Sequence, residues 1–243
     1  VQSGADAVYL GGPQFGARYS AENFTIEEMK TWVDYCHLYG VDVHVTVNTL
    51  VKEKEIESLK EYLKQLNKIG VDALIVQDMG AVEIIKKTVP DMTLHASTQM
   101  TVTSLEGVKY LEDMGFSRVV LARELSEKEI EHICKNAKAE IEVFVHGAIC
   151  MCYSGQCLMS SILGGRSGNR GRCAQPCRLP YDLLENGKTV KSGYVLSPKD
   201  MALVNDLETL KRIGVTSLKI EGRLKRAEYV SAVVGVYRKY LDK

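Results

Sequence analysis

The sequence predicts an α/β protein: a (β/α)8 TIM-like barrel lacking its first strand, with a cysteine-rich loop and a small β-hairpin inserted after the penultimate strand. Three observations carry this expectation. A phrase recurs in which a helical stretch closes on glycine and a short apolar strand follows. Five of the seven cysteines fall between Cys150 and Cys177. Polar residues gather where the expected strands end.

The glycine phrase begins at Gly4-Ala5-Asp6-Ala7-Val8-Tyr9-Leu10 and at Gly40-Val41-Asp42-Val43-His44-Val45. It returns at Gly70-Val71-Asp72-Ala73-Leu74-Ile75-Val76, at Gly115-Phe116-Ser117-Arg118-Val119-Val120-Leu121 and at Gly214-Val215-Thr216-Ser217-Leu218-Lys219-Ile220. Glycine takes the left-handed conformation that closes a helix, and the chain turns into the next strand. Seven strands follow, at about 5–11, 42–49, 73–78, 93–98, 118–123, 140–146 and 217–221. Between them lie helical patterns. Thr25-Ile26-Glu27-Glu28 has capping-box spacing, and Ile56, Leu59, Leu63 and Leu66 share one face of a helix. Alternating strands and helices build right-handed βαβ units and a parallel sheet. Val1 to Ser3 reads as the tail of a helix, so an eighth strand is expected to precede Val1. An open, doubly wound sheet is the alternative.

From residue 148 to 201 this rhythm stops, and Glu185-Asn186-Gly187-Lys188 marks a hairpin turn within the interruption. Residues 1–243 therefore read as one barrel domain with the insertion 148–201 inside it; such long loops are usually functional. The 243 residues, 45% apolar, suffice for a single core. Lys and Arg balance Asp and Glu at 31 each, so no global field draws the chain to nucleic acid or membrane. No apolar run approaches the roughly 20 residues of a membrane span, and no secretory signal opens the chain. A soluble, cytoplasmic protein without a membrane partner is expected.

Strand parity sorts the polar residues. In the last strand Leu218 and Ile220 face the helices, which turns Lys219, Glu221 and Arg223 toward the barrel mouth. His95, Ser97 and Gln99 share a face, as do His44, Thr46 and Asn48, while Gln77, Asp78, Arg123, Glu124 and His146 stand at strand ends. Singly, each has an ordinary structural explanation: a core histidine, or Lys219 and Glu221 paired with each other or with Arg123. Together they describe a site for a small polar ligand.

The insertion carries Cys150-x6-Cys157-x15-Cys173-x3-Cys177, with Cys152 in addition. Four thiolates on a glycine-rich loop suit a tetrahedral zinc or an iron–sulfur cluster, and the wide first gap tilts toward the cluster. Cys36 and Cys134 fall in helices and read as small apolar residues. No acidic residue lies between Val143 and Tyr181, yet Arg166, Arg170, Arg172 and Arg178 do, either as forks for phosphate or as a solvated basic loop. Hydrolytic motifs are lacking; a Cys150–His146 pair is conceivable but has no orienting group.

The stretches Glu142 to Cys150, Gly155 to Ser160, Gly164-Gly165-Arg166-Ser167, Cys173-Ala174-Gln175-Pro176-Cys177-Arg178 and Leu218 to Arg223 resemble the signature of the collagenase-like peptidases, family U-32. Gly4 to Gly12, Val47-Asn48-Thr49, Gln77-Asp78, Ser97-Thr98-Gln99 and Ala122-Arg123-Glu124 extend the resemblance over almost the whole chain. It implies an oxygen-independent hydroxylase acting on a tRNA wobble uridine or a ribosomal RNA base, with prephenate as the oxygen source. It also implies a [4Fe–4S] cluster on Cys150, Cys157, Cys173 and Cys177, with Cys152 outside the ligand set. Asn48, Gln77, Gln99, Arg123, Lys219 and Arg223 would then bind the small anionic molecule. His95, His146 and Glu221 would carry protons, and Arg166, Arg170, Arg172 and Arg178 would meet RNA phosphates. A metal- or cysteine-dependent protease, and a cluster-carrying subunit that works with a related partner, are the alternatives.

Overall fold

A computed structural model describes residues 1–18, 23–222 and 224–243. The chain runs β1 (Ala7–Gly11), α1 (Ile26–Leu38), β2 (Asp42–Val47), α2 (Ile56–Lys68), β3 (Ala73–Val76), α3 (Met79–Thr88), β4 (Thr93–Ala96), α4 (Leu105–Asp113), β5 (Arg118–Val120), α5 (Glu127–Asn136) and β6 (Glu140–Gly147). It continues through α6 (Met159–Gly164), β7 (Tyr181–Glu185), β8 (Lys188–Gly193), β9 (Met201–Ala202), α7 (Leu207–Ile213), β10 (Ser217–Ile220) and α8 (Ala227–Leu241).

The local signals act as the sequence implies. Thr25 accepts from the Glu28 amide while the Glu28 carboxylate takes the Thr25 amide, closing the capping box of α1. Gly40, Gly70, Gly115 and Gly214 are all left-handed at helix ends. Asn186 and Gly187, both at positive φ, turn β7 into β8.

Seven strands form one parallel path in the order β1-β2-β3-β4-β5-β6-β10. Each strand pairs with the one that precedes it along this path, so the reversal of order that defines a doubly wound sheet is absent among the described residues. The sheet is a curled half-barrel. Its edges β1 and β10 share no ladder among the described residues, but they approach within side-chain reach. The Tyr9 hydroxyl donates to Ile220 O at 3.5 Å, and the Lys219 ammonium stands 4.7 Å from the Tyr9 ring centre.

The outer face of the sheet is apolar. Val43, Val45, Leu74, Leu94, Val119, Ile141 and Val143 bury themselves against Leu59, Leu63, Ile85, Val108, Ile133 and Leu210 of the helices. This is the dominant favourable contribution to the fold. Burying it leaves the alternate residues of every strand on the inner face.

Two details of the insertion depart from expectation. It holds a short helix, α6, and it rejoins the sheet through β9, which pairs antiparallel with the end of β6 through His146↔Ala202 and Gly147↔Met201. Two residues give too little pattern to be read as a strand.

Candidate functional site

The inner face is layered. Its lower layer is an ion network. Glu142 on β6 accepts from the Lys219 ammonium at 2.6 Å and the Ser217 hydroxyl at 2.8 Å, with an Arg118 nitrogen at 3.4 Å. Burial alone would raise the pKa of Glu142. The Lys219 ammonium, the Ser217 hydroxyl and Arg118 outweigh it and hold the carboxyl down to about 2. Beside them His44 and His95 meet edge to face, ring centres 4.6 Å apart. Burial, then the His44 ring and the nearby cations, push His95 down to about 3, so it is neutral at physiological pH.

Above this layer, where the strands end, lies a narrow cavity of about 50 Å³. It has room for a few water-sized groups. Tyr9, Arg18, Asn48, Gln99, Lys219 and Glu221 give it its polar character. Asn48 is fixed: its Oδ1 accepts from the Ala17 amide at 3.0 Å and its Nδ2 donates to Ser97 Oγ at 3.3 Å. The Arg18 side chain, 39% exposed, reaches Glu221 at 3.5 Å.

The cysteine loop is docked on the wall of this cavity. Ser154, fully buried, accepts from Thr98 Oγ1 at 3.3 Å and from Arg123 Nε at 3.2 Å. Its carbonyl accepts from Thr101 Oγ1 at 2.5 Å. Thr101 itself is left-handed at φ 58°, a costly conformation for a β-branched residue and one often found at functional sites. Gly155 packs so closely that a Cβ there would lie 2.4 Å from Gln99 O.

Around this anchor the thiols gather. Burial raises the Cys177 pKa, and the thiolates of Cys150, Cys173 and Cys157 raise it further. The same causes act on Cys152 through Cys157 and Cys150. Cys177 thus lies within electrostatic reach of Cys150, Cys157 and Cys173, with Arg178 acting the opposite way, and Cys152 within reach of Cys157 and Cys150. Among the described residues, no three His, Cys, Asp or Glu side chains are arranged to hold a single metal ion. Cys36 and Cys134 sit apart in α1 and α5, each with a thiol pKa raised by burial, Cys134 to about 11.

Several residues expected at the mouth lie elsewhere. His95 belongs to the lower layer. His146 is turned away: Lys219 pairs with Phe144 but Ile220 with His146, and this slip breaks the alternation of β6. Its ring packs on α8, with Nδ1 3.3 Å from the Tyr237 hydroxyl, so no Cys150–His146 pair is formed there. Lys219 pairs with Glu142, and Glu221 with Arg18. Gln77 donates to Asn169 O at 3.1 Å, and Arg123 lies 5.8 Å from the Phe144 ring; both brace the loop and its floor.

Two loop arginines are clamps. Arg170 grips Glu55 through both nitrogens, at 3.0 and 2.6 Å, and Leu50 O at 2.6 Å. Arg178 binds Ser197 Oγ, Pro198 O and Ile149 O at 2.6–2.7 Å. Arg166 and Arg172 are exposed and meet through Arg166 Nε to Arg172 O at 3.1 Å. Arg223 lies outside the described residues. Arg18 was not anticipated, because its Gly/Pro-rich loop carries no periodic signal.

No helix among the described residues is long and apolar enough to cross a membrane. The half-barrel with a cysteine loop docked over a polar cavity defines the class of protein. Within it the chain belongs to peptidase family U32, whose profile matches residues 1–243. It is 46% identical over 244 residues to the 23S rRNA 5-hydroxycytidine C2501 synthase of Escherichia coli (strain K12), covering 100% of this chain and 37% of that protein. It is 40% identical over 250 residues to tRNA hydroxylation protein P1 of Bacillus subtilis (strain 168), covering 100% of this chain and 59% of the relative. The chain thus spans less than two thirds of either relative. The solved structure of the U32 peptidase Mk0906 matches with a TM-score of 0.51 at 20% identity, over 60% of this chain and 63% of that one, a likeness of fold.

Proposed function

We propose that this chain is the catalytic barrel of a cytoplasmic, oxygen-independent RNA hydroxylase, closed in the manner of a TIM barrel, that modifies a tRNA or rRNA base. Both relatives named above carry RNA hydroxylation or hydroxynucleoside synthesis in their names. One observation carries the reading. Thr98 and Gln99 wall the small polar cavity and also receive Ser154 and Gly155, which lie between Cys152 and Cys157. A small molecule in the cavity and a group on the cysteines would share a wall.

Cys150, Cys157, Cys173 and Cys177 would hold a [4Fe–4S] cluster, which supplies one-electron redox chemistry when bound. The rest falls to the chain. Arg18 and Lys219 offer positive charge to an anionic co-substrate such as prephenate, which supplies the oxygen. Asn48 and Gln99 orient it through hydrogen bonds, and Glu221 holds or moves a proton beside it. The cavity, about 50 Å³, admits neither a nucleobase nor a whole prephenate, so one carboxylate of the co-substrate would enter it and the reacting groups would meet at the mouth. Arg166 and Arg172 contact RNA phosphates there.

The test is anaerobic purification with iron and sulfide counts, followed by mass spectrometry of nucleosides from RNA incubated with the protein and prephenate. A visible absorbance with about four irons per chain, as a four-thiolate cluster holds, and a hydroxylated nucleoside support the reading. Cys173→Ala should lose both. Colourless protein with one zinc, or a C173A variant that keeps its iron, sinks the ligand assignment.

A further inference from the structure

We propose that Asn169 is a positioning residue that locks the two halves of the cysteine loop into register over the cavity. The inference rests on the reading that the four cysteines act as one set. Asn169 sits in a single 3-10 turn, Gly168–Arg170, between the pair Cys150 and Cys157 and the pair Cys173 and Cys177. Its side-chain amide donates to Gly155 O at 2.7 Å. Its own carbonyl accepts from Gln77 Nε2 at 3.1 Å and from the Leu50 amide at 3.3 Å. One residue therefore joins the first half of the loop to the ends of β2 and β3.

Its neighbours complete the junction. A Cβ on Gly168 would lie 3.6 Å from Cys157 O and 3.8 Å from Cys173 Cβ, so the turn passes between those two cysteines. Arg170 straps the turn to Glu55. Gly171 is left-handed, and a Cβ there would meet Gly16 O at 2.5 Å, fixing the turn against the loop after β1. Gly155 is thereby held from two sides, by the Asn169 amide and by the backbone of Gln99. Cys157 follows Gly155 by two residues, so its sulfur inherits this registration. An aspartate at position 169 has the same shape but no donor, and sets a carboxylate oxygen against the Gly155 carbonyl.

The test reads thiols in the reduced, metal-free protein. Alkylation by iodoacetamide, resolved by mass spectrometry for each cysteine, should rise about fivefold or more at Cys157 in Asn169→Asp, the weight of one neutral hydrogen bond. Cys36, buried in α1, should react at the wild-type rate. If N169D does not fold, Asn169→Ser, which shortens the donor, gives the same readout. In iron-loaded N169D the iron count should hold while the electron paramagnetic resonance signal of the reduced centre shifts. An unchanged rate at Cys157, an equal rise at Cys36, or a wild-type resonance signal overturns the proposal. So does a Gly155→Ala variant that frees Cys157 where N169D does not, because contact with Gln99 alone would then hold the loop. Alkylation needs no metal, so iron-free wild type would defeat the proposed function and leave this test standing.

Discussion

Two charged groupings lie one above the other on the inner face of the sheet. Below, Lys219 and Glu142 are 2.6 Å apart with side chains 11% and 6% exposed. Above, Arg18 and Glu221 are 3.5 Å apart at 39% and 15%. The lower pair is buried and closely bonded on several sides. Such ions must be paired wherever they are buried, so the pairing by itself assigns no chemistry to Lys219, which also lines the cavity. The upper pair is longer and lines the cavity, where an incoming anion can compete for the half-exposed guanidinium. Exposure, not charge, separates scaffold from site.

The strongest way to break this contrast is Glu142→Gln. It leaves the Lys219 cation without its carboxylate in the interior, while Arg118 keeps Glu140 at 2.6 Å, and should cost about 3–5 kcal/mol in denaturant-induced unfolding. A loss below about 1 kcal/mol would mean the lower layer is not the scaffold element it is taken to be. Acid sharpens the same point. His95 titrates near 3 in the fold against an ordinary 6.5, so the unfolded chain binds the extra proton first and stability falls as pH drops below 6.5. Glu142, at about 2 against an ordinary 4.5, adds a further loss as pH falls from 4.5 toward 2. His95→Gln should lower the slope from pH 6.5 down to about 3, leaving the contributions of His44 and Glu142; an unaltered pH profile of the unfolding midpoint counts against a neutral buried His95.

At the mouth the expected effects move from stability to binding. Arg18→Ala should weaken a carboxylate co-substrate about tenfold, as for a lost charge-assisted hydrogen bond. Calorimetric titration with prephenate measures it, and the unfolding midpoint should barely move. Equal affinity in the variant would return the anion to Lys219. The smallest effect belongs to Arg166→Ala. RNA binding should weaken modestly across sequences, and the slope of log affinity against log salt should fall by about 1. An unchanged slope removes Arg166 from the RNA-facing surface.

The frame was legible in the sequence because its signals are local. Glycine closes a helix, an apolar run makes the next strand, and Asn186-Gly187 makes a hairpin. The cysteine loop stood out by its spacing, while the set of four cysteines came from the family resemblance. The partners of charged residues were not, because partners come from register. Lys219 meets Glu142 across β6, a pairing that no spacing along the chain encodes. Arg170 looked free in a loop without acids, yet Glu55, on the connection between β2 and α2, binds it. His146 was misplaced because parity assumes unbroken alternation, and the slip opposite Lys219 and Ile220 breaks it.

The short strand β9 has a wider consequence. Because Gly147 and Met201 are direct antiparallel partners, about 5 Å apart in such a ladder, the whole excursion between them leaves and re-enters the sheet at one point. The half-barrel need not deform to host it. The excursion is thus a cassette on a fixed socket, free in principle to change length, sequence or cargo while the scaffold beneath keeps its shape.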